Sequence, residues 1–397
     1  MLVQFRVKNV LSFKEEAIFD MTAINAYKEH ESNLIDIGTK EKFLKVAAIY
    51  GANASGKSNL YWAMFYFQRL VLESLNNVSE ENETALNKYY VPFCFDEENE
   101  NSELEVVIIT EGFEYKYGFE YNDEIIASEW LYRKNLKTNR MITIFERLGD
   151  QVQLGASVKK ACEVYKNQIP VEALALTFFN KLKIKTHIFN EVYDAVMDIL
   201  AVPGDVYEKK EVLQRFLPNI IDEDKESLVA FLGAIDTGII DIAYDKTDKD
   251  VVLFTIHQGK DGNPYPLLLF NESEGTIRSI AIYMNARLAI LNNKTMFVDE
   301  LNSKLHPLLL KFIIDLFYDE DSAAQLIYTT HDTTLMDKKF FRRDQIWFVQ
   351  KDKFGYSELN ALSDFKVRSD ASFEKDYLAG VYGGIPFLKE FNMKEGA

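Results

Sequence analysis

The sequence predicts an α/β fold with a mostly parallel core sheet, an antiparallel β subdomain and a helical insertion. Three observations predict it. Near both ends of the chain, buried strand-like runs such as FLKVAAIY (43–50) and KTMFVDE (294–300) alternate with helix-like runs such as PLLLKFIIDLF (307–317), the pattern of strands covered by helices on both faces. Between 104 and 154, strand-like segments follow one another with no helix between them, as in an antiparallel sheet. From 156 to 235 the period becomes helical.

Each element follows in order. Residues 2–7 and 16–20 form an opening pair of strands, and FLKVAAIY feeds the loop Gly51-x-x-x-x-Gly56-Lys57-Ser58. Leu60, Ala63, Met64, Phe67, Val71 and Leu75 then recur at helical spacing. After a mostly polar stretch, 76–88, come LEVVIIT (104–110), FEYKYGFEY (113–121), ASEWLYR (127–133) and a hairpin from Ile142 to Leu154 turning at Gly149-Asp150. The helical stretch is broken at Pro170, Pro203 and Pro218 and sustains no heptad, so it predicts a compact insertion and not a coiled-coil arm. Strands return at 238–244, 251–257 and 265–270, then a helix over 275–291. KTMFVDE, the helix 307–317, AAQLIYTT (323–330) and DQIWFVQK (344–351) complete the parallel part. The resulting division is 1–155, 156–235 and 236–397, with the first and last parts forming one unit around the insertion.

Composition narrows the function classes. Lysine and arginine number 45 against 62 acids, a formal charge of −17, so the surface as a whole repels polyanions and a general nucleic-acid wrapping role is disfavoured. Three local basic clusters stand out: Lys159-Lys160; Lys181, Lys183 and Lys185; and Lys338-Lys339 with Arg342-Arg343. Without a stacking platform they read as solvated charge. Cys94 and Cys162 read as two buried thiols in a reducing cytosol. The opening MLVQFRVKNV has the alternation of a strand and no export signal. No apolar run approaches the roughly 18 residues of a membrane span. The expectation is a soluble cytoplasmic protein without membrane contact.

Four patterns carry chemistry. In the glycine loop, the Walker A pattern, Gly51 and Gly56 let backbone approach phosphates. Asn53, Ala54, Ser55, Gly56, Lys57, Ser58 and Asn59 offer NH groups at a positive helix end, Lys57 reaches the outer phosphates and Ser58 ligates Mg²⁺. A loop of this kind needs a second acid at the end of an apolar strand. TMFVDE supplies Asp299 for the metal and Glu300 to polarise or align the attacking water. In IYTTHD, His331 stands just past a strand, where a neutral imidazole can hydrogen-bond a γ-phosphate. In ESEGTIR, Ser273, Gly275 and Thr276 open a helix and present hydroxyl and NH groups to an anion; the same pattern is equally an ordinary helix cap.

The order of these motifs, carried by GANASGKSNL, FNESEGTIRS, TMFVDELNSKLHP, LIYTTHD, RRDQIWFVQK and YLAGVYGGIP, resembles an ABC-type ATPase head of the RecF/SMC-like group. Within it the chain resembles the bacterial AAA-family ATPases of the RloA and AbiL abortive-infection kind. The resemblance spans about residues 1–155 and 236–389. It implies ATP and Mg²⁺ as cofactors and a homodimer, or a higher oligomer of dimers, with a composite site. Lys57, Ser58, Asp299, Glu300 and His331 then act in cis, Ser273 and Gly275 in trans on the γ-phosphate, and Asn302 to Lys304 cross the dimer interface. The family's conformational glutamine has no counterpart in VPFCFD (91–96).

With only 66 residues after His331 and no Asp-x-Asp pair among them, a fused nuclease is not expected. The resemblance then implies an ATPase that senses a phage-derived trigger and controls a separate effector such as a nuclease. A RecF-like DNA-repair ATPase acting directly on DNA is the alternative, and a scaffold that binds ATP without turnover is a third reading.

Overall fold

The computed structural model describes residues 1–76, 84–95, 100–182, 184, 186–202, 208–235, 237–246, 250–368 and 371–386. Lys183, Lys185 and Pro203, singled out in the sequence, lie outside the described residues. The chain begins with β1 (Leu2–Lys8), β2 (Ala17–Asp20), β3 (Leu34–Ile35), β4 (Phe43–Leu44), β5 (Val46–Tyr50), α1 (Lys57–Glu73) and α2 (Ala85–Tyr89). Five strands follow: β6 (Ser102–Thr110), β7 (Phe113–Tyr121), β8 (Ile126–Asn135), β9 (Met141–Leu148) and β10 (Gln151–Leu154). Then come α3 (Ala156–Cys162), α4 (Ala175–Lys181), α5 (Ile188–Met197), β11 (Ile199–Val202) and α6 (Lys210–Ala234). The remainder is β12 (Ile239–Lys246), β13 (Val251–Gln258), β14 (Pro264–Leu268), α7 (Glu274–Leu291), β15 (Thr295–Val298), α8 (Pro307–Leu316), β16 (Gln325–Thr330), β17 (Ile346–Lys351), β18 (Ser357–Ala361) and α9 (Phe373–Leu378).

The fold is the predicted class. The core sheet has the order β11-β15-β16-β5-β17-β18, parallel throughout except for the antiparallel β17–β18 pair. A seven-stranded antiparallel sheet, β10-β9-β8-β7-β6-β1-β2, forms the β subdomain, and β12-β13-β14 form a small third sheet.

Strand alternation divides the core sheet between two hydrophobic cores, because successive side chains on a strand point to opposite faces. Ala47, Ile49, Phe297, Ile327, Trp347 and Val349 face one core, shared with α1, α4, α5 and the antiparallel sheet. Val46, Ala48, Tyr50, Met296, Val298, Leu326, Tyr328 and Phe348 face the other, filled from α8 and the C-terminal segment. Both faces being covered explains why these strands read as unbroken apolar runs.

Three elements differ from the sequence reading. FLKVAAIY is two strands, β4 pairing with β3 and β5 entering the core sheet. Buried Lys45 separates them: its N–H donates to the Asn33 carbonyl (3.0 Å) and its own carbonyl accepts from the Leu326 N–H (2.8 Å). The stretch 156–235, expected to be helical, also supplies β11, a parallel edge strand beside β15. Four residues of apolar ILAV next to a helix carry too little periodicity to separate strand from helix. Finally, α6 runs through Pro218, where a break was expected; its non-helical residue is Asp224, with φ −159°. The φ of proline is itself helical, so the helix continues with one N–H fewer.

Two smaller expectations are also corrected. Cys162 is buried, with burial pushing its thiol up to about 11, but Cys94 is exposed. In the basic cluster at 338–343, Arg342 is fully buried and donates to Asp344 (2.8 and 2.9 Å) and to the carbonyls of Ile24, Tyr27 and Glu29 (2.8 to 3.1 Å). It ties the 24–29 loop to the C-terminal half and contributes no surface charge. Among the described residues, no helix is long and apolar enough to cross a membrane.

Candidate functional site

Parallel pairing sets the site. With β15, β16, β5 and β17 running the same way, their C-terminal ends emerge on one edge of the sheet, where α/β folds place ligands. Val298 pairs with Tyr328, Thr330 with Tyr50, and Phe348 with Tyr50. The residues just past these ends are therefore neighbours: the glycine loop after β5, Asp299-Glu300 after β15, His331 after β16, and Lys351 closing β17. Together Asn53, Ala54, Gly56, Lys57, Ser58, Asn59, Glu300, His331 and Lys351 line an open cavity of about 550 Å³.

The loop conformation explains its glycines. Gly56 sits at φ +112°, a left-handed value that disfavours a side chain, and a Cβ there would run into the Ser357 and Ser12 hydroxyls. Gly51 has no room for a side chain either, because its Cα faces the Val349 carbonyl on β17. Ala54 is also left-handed, at φ 63°. A serine lattice fixes the loop from behind. The Ser357 hydroxyl donates to the Ser55 carbonyl (2.7 Å) and shares a 2.7 Å hydrogen bond with Ser12, which in turn accepts from Asn59 Nδ2 (2.6 Å). Gly56 caps α1, its carbonyl accepting from the Asn59 and Leu60 N–H groups (3.0 and 3.2 Å), and the N–H groups of Lys57 and Ser58, ahead of the first helical acceptor, belong to residues that line the cavity.

Lys57 is almost fully buried, and its ammonium donates to the carbonyls of Gly51 (2.8 Å) and Ala52 (3.0 Å). Burial lowers its pKa below the ordinary lysine value, while the Glu300 and Asp299 carboxylates oppose that. The ammonium is thus held over the loop by weak neutral acceptors, which phosphate oxygens can replace with charge-assisted ones.

Asp299 Oδ1 accepts from Ser58 Oγ (3.1 Å) and from Thr329 Oγ1 (2.6 Å). The Thr329 hydroxyl also accepts from the Glu300 N–H (2.8 Å). Ser58, Asp299 and phosphate oxygens are hard oxygen donors of the kind Mg²⁺ takes, so the residues present fit that ion. Among the described residues no group of three His, Cys, Asp or Glu side chains could hold a metal alone. Glu300 is exposed and left-handed, at φ 49°. Strain of this kind concentrates at functional positions. His331 is exposed; its Nε2 lies 3.3 Å from Asn302 Nδ2, and Asn302 Oδ1 accepts from Thr330 Oγ1 (2.8 Å). Asn302, expected at a subunit interface with Lys304, is thus largely buried and orients His331.

Ser273, Gly275 and Thr276 are not among the residues lining this cavity. Ser273 is exposed and caps α7, its Oγ accepting from the Thr276 N–H (3.1 Å) and lying 2.8 Å from Thr276 Oγ1. Gly275 packs against the Lys304 carbonyl. Sequence reasoning missed Lys351, Ser12, Ser357, Thr329 and Arg278. A lysine closing a strand whose neighbour feeds the glycine loop is a usable signal for Lys351; the two serines touch the loop only through the fold.

With the geometry in place, comparison with known proteins is informative. A family described as "AAA domain, putative AbiEii toxin, Type IV TA system" matches residues 46–159 and 166–337, well over half of the chain. The chain belongs to this family. Its matched span holds the glycine loop, Ser273 to Thr276, Asp299, Glu300 and His331, and ends before Lys351 and Ser357. No curated protein matches the chain. Among solved structures, the chain is similar to an SMC head domain from Thermotoga maritima at 14% identity and TM-score 0.41, over 91% of this chain and 98% of that one. An SMC head bound to the C-terminal winged-helix domain of ScpA is similar at 14% identity and TM-score 0.43, covering 95% and 99%. An SMC head with an extended coiled coil, bound to the C-terminal domain of ScpA from Pyrococcus furiosus, reaches 0.39 at 14% identity, covering 95% and 98%.

Proposed function

We propose that this chain is a Mg²⁺-dependent ATPase whose site is completed between two copies, and that it serves as the sensor or controller of an anti-phage, abortive-infection complex with a separate effector such as a nuclease. One observation carries the reading. The phosphate-directed loop, Glu300 and His331 line one cavity, with Asp299 hydrogen-bonded to its Ser58, while Ser273 at the start of α7 is exposed and lies outside that lining. A second copy can bring its own Ser273, Gly275 and Thr276 to that cavity, closing over the γ-phosphate.

In this reading Lys57 and the loop NH groups hold the phosphates, and Ser58 and Asp299 hold the metal, which when bound neutralises charge on the transferring phosphate. Glu300 aligns the attacking water and accepts its proton, and His331, oriented by Asn302, donates to a γ-phosphate oxygen. The defence role is supported by the family description, which names a toxin and a toxin–antitoxin system, and by the resemblance to RloA and AbiL ATPases. The buried, structural Arg342 removes one support for direct DNA binding.

The test is steady-state phosphate release together with particle mass from scattering. The expected results are a doubled mass with a nonhydrolysable ATP analogue and a loss of turnover in Glu300→Gln by on the order of 10²-fold or more. Chelating Mg²⁺ abolishes turnover. A mass that stays single, with turnover untouched by Ser273→Arg, overturns the composite site. For the defence role, cells carrying the chain with its neighbouring genes should lose phage protection on Lys57→Ala; no protection by the unaltered genes overturns it.

A further inference from the structure

Helix α7 is linked to the cavity by one side chain. Arg278 lies five residues after Ser273, and its guanidinium is buried, about 4% exposed. Nη2 donates to the Glu300 carbonyl (3.1 Å), and Nη1 is paired with Glu208 Oε1 at 2.8 Å. Glu208 Oε2 also accepts from Lys304 Nζ (3.0 Å), and Lys304, at φ 61°, presents its carbonyl to Gly275. Glu300 is thereby held at both of its flanking peptide units: its N–H on Thr329, and its carbonyl on Arg278 and on the Ser303 N–H (3.0 Å). A residue held at φ 49° needs such support.

We infer that Arg278 is a positioning residue, acting through the Glu300 carbonyl so that the helix this chain offers to its partner's nucleotide sets the pose of the chain's own Glu300. The inference rests on the composite site proposed above and adds a direction of communication to it. In that site the start of α7 serves the partner's nucleotide, whereas Glu300 serves the chain's own. Any displacement of α7 on meeting the partner's γ-phosphate is carried by a short, buried guanidinium to the residue that aligns water over the other nucleotide. Arginine suits the task because its planar fork satisfies two acceptors in fixed geometry at once. Lysine offers a single ammonium centre and cannot span both.

The experiment uses the full-length protein with Arg278→Gln and Arg278→Lys. Turnover is measured as phosphate release and nucleotide affinity as the Kd of a fluorescent ATP analogue. The expected result is a kcat lowered by on the order of 10- to 100-fold, as for misplacement of a catalytic group, with Kd unchanged within about twofold. A melting temperature close to that of the unaltered protein confirms that the variants fold.

Mixed dimers separate positioning from simple support of α7. One protomer carries Lys57→Ala, so that only its partner's glycine loop works. Arg278→Gln placed on the Lys57→Ala protomer should leave the remaining turnover unchanged, while the same substitution on the other protomer should remove it. A loss on the Lys57→Ala protomer with none on the other would mean that Arg278 only holds α7, equal losses in both arrangements would mean general support of the fold, and either of these, or an unaltered kcat in the homodimer, would overturn the inference while leaving the ATPase reading standing. An unaltered protein without Glu300-dependent phosphate release would instead sink the composite site, and this inference with it.

Discussion

The glycine-loop edge of the core sheet and the exposed start of α7 are built on opposite principles. At the sheet edge, four strands deliver their terminal residues to one place, where Lys57 is engaged on loop carbonyls, Asp299 on Ser58 and Thr329, and His331 on Asn302. At α7, Ser273 and Thr276 satisfy only each other and the helix terminus. The difference teaches which half of the site the single chain builds. Parallel topology assembles the loop, the acids and the histidine within one chain; in the proposed composite site, Ser273 and Gly275 meet a phosphate only when another molecule supplies one.

The comparison can be tested at several points. Lys57→Ala should have the largest effect, lowering nucleotide affinity and turnover together by on the order of 10²- to 10³-fold, as read by titration with a fluorescent nucleotide and by phosphate release. Ser273→Arg should sharpen the contrast: nucleotide affinity of the isolated chain stays within about twofold, while turnover at dimer-forming concentrations falls by on the order of tenfold or more. A comparable loss of affinity in the isolated chain would break the comparison, because it would place Ser273 on the chain's own nucleotide. Gly56→Ala should cost about 2 to 3 kcal/mol of stability in urea unfolding, since it combines a left-handed φ with a clash at Ser357. Gly275→Ala carries no such strain, its new Cβ lying 3.0 Å from the Lys304 carbonyl, and should cost about 1 kcal/mol. Ser357→Ala is comparably small, about 1 kcal/mol from the loss of its hydrogen bonds to Ser55 and Ser12, with loosened nucleotide binding as its functional sign.

The same contrast explains how much could be read from the sequence. Elements whose period matches their environment were legible: the β7 and β8 ladder, the hairpin of β9 and β10, helix α7, and the apolar strands that precede Gly51, Asp299 and His331. The cavity residues other than Lys351 were legible because local strand and helix context implies where their backbone ends. Strand β11 was not, for it is four residues long and owes its conformation to pairing with β15. Helix α2 was not either; five residues between polar neighbours give no period, and only the Thr84 and Asn87 capping box marks it. Ser12, Ser357 and Arg278 were missed for another reason. Each reaches its role across a separation no periodicity records, such as the 345 positions between the two serines.

That separation has a consequence for biosynthesis. The phosphate loop leaves the ribosome before its template, because the carbonyl of Val349 and the hydroxyl of Ser357, against which it is moulded, are made some 300 residues later. A nascent chain, or a fragment ending near residue 340, carries every recognisable nucleotide motif but not the template that shapes the first of them. Such products should be inert toward ATP, so nucleotide binding awaits the synthesis of β17 and β18.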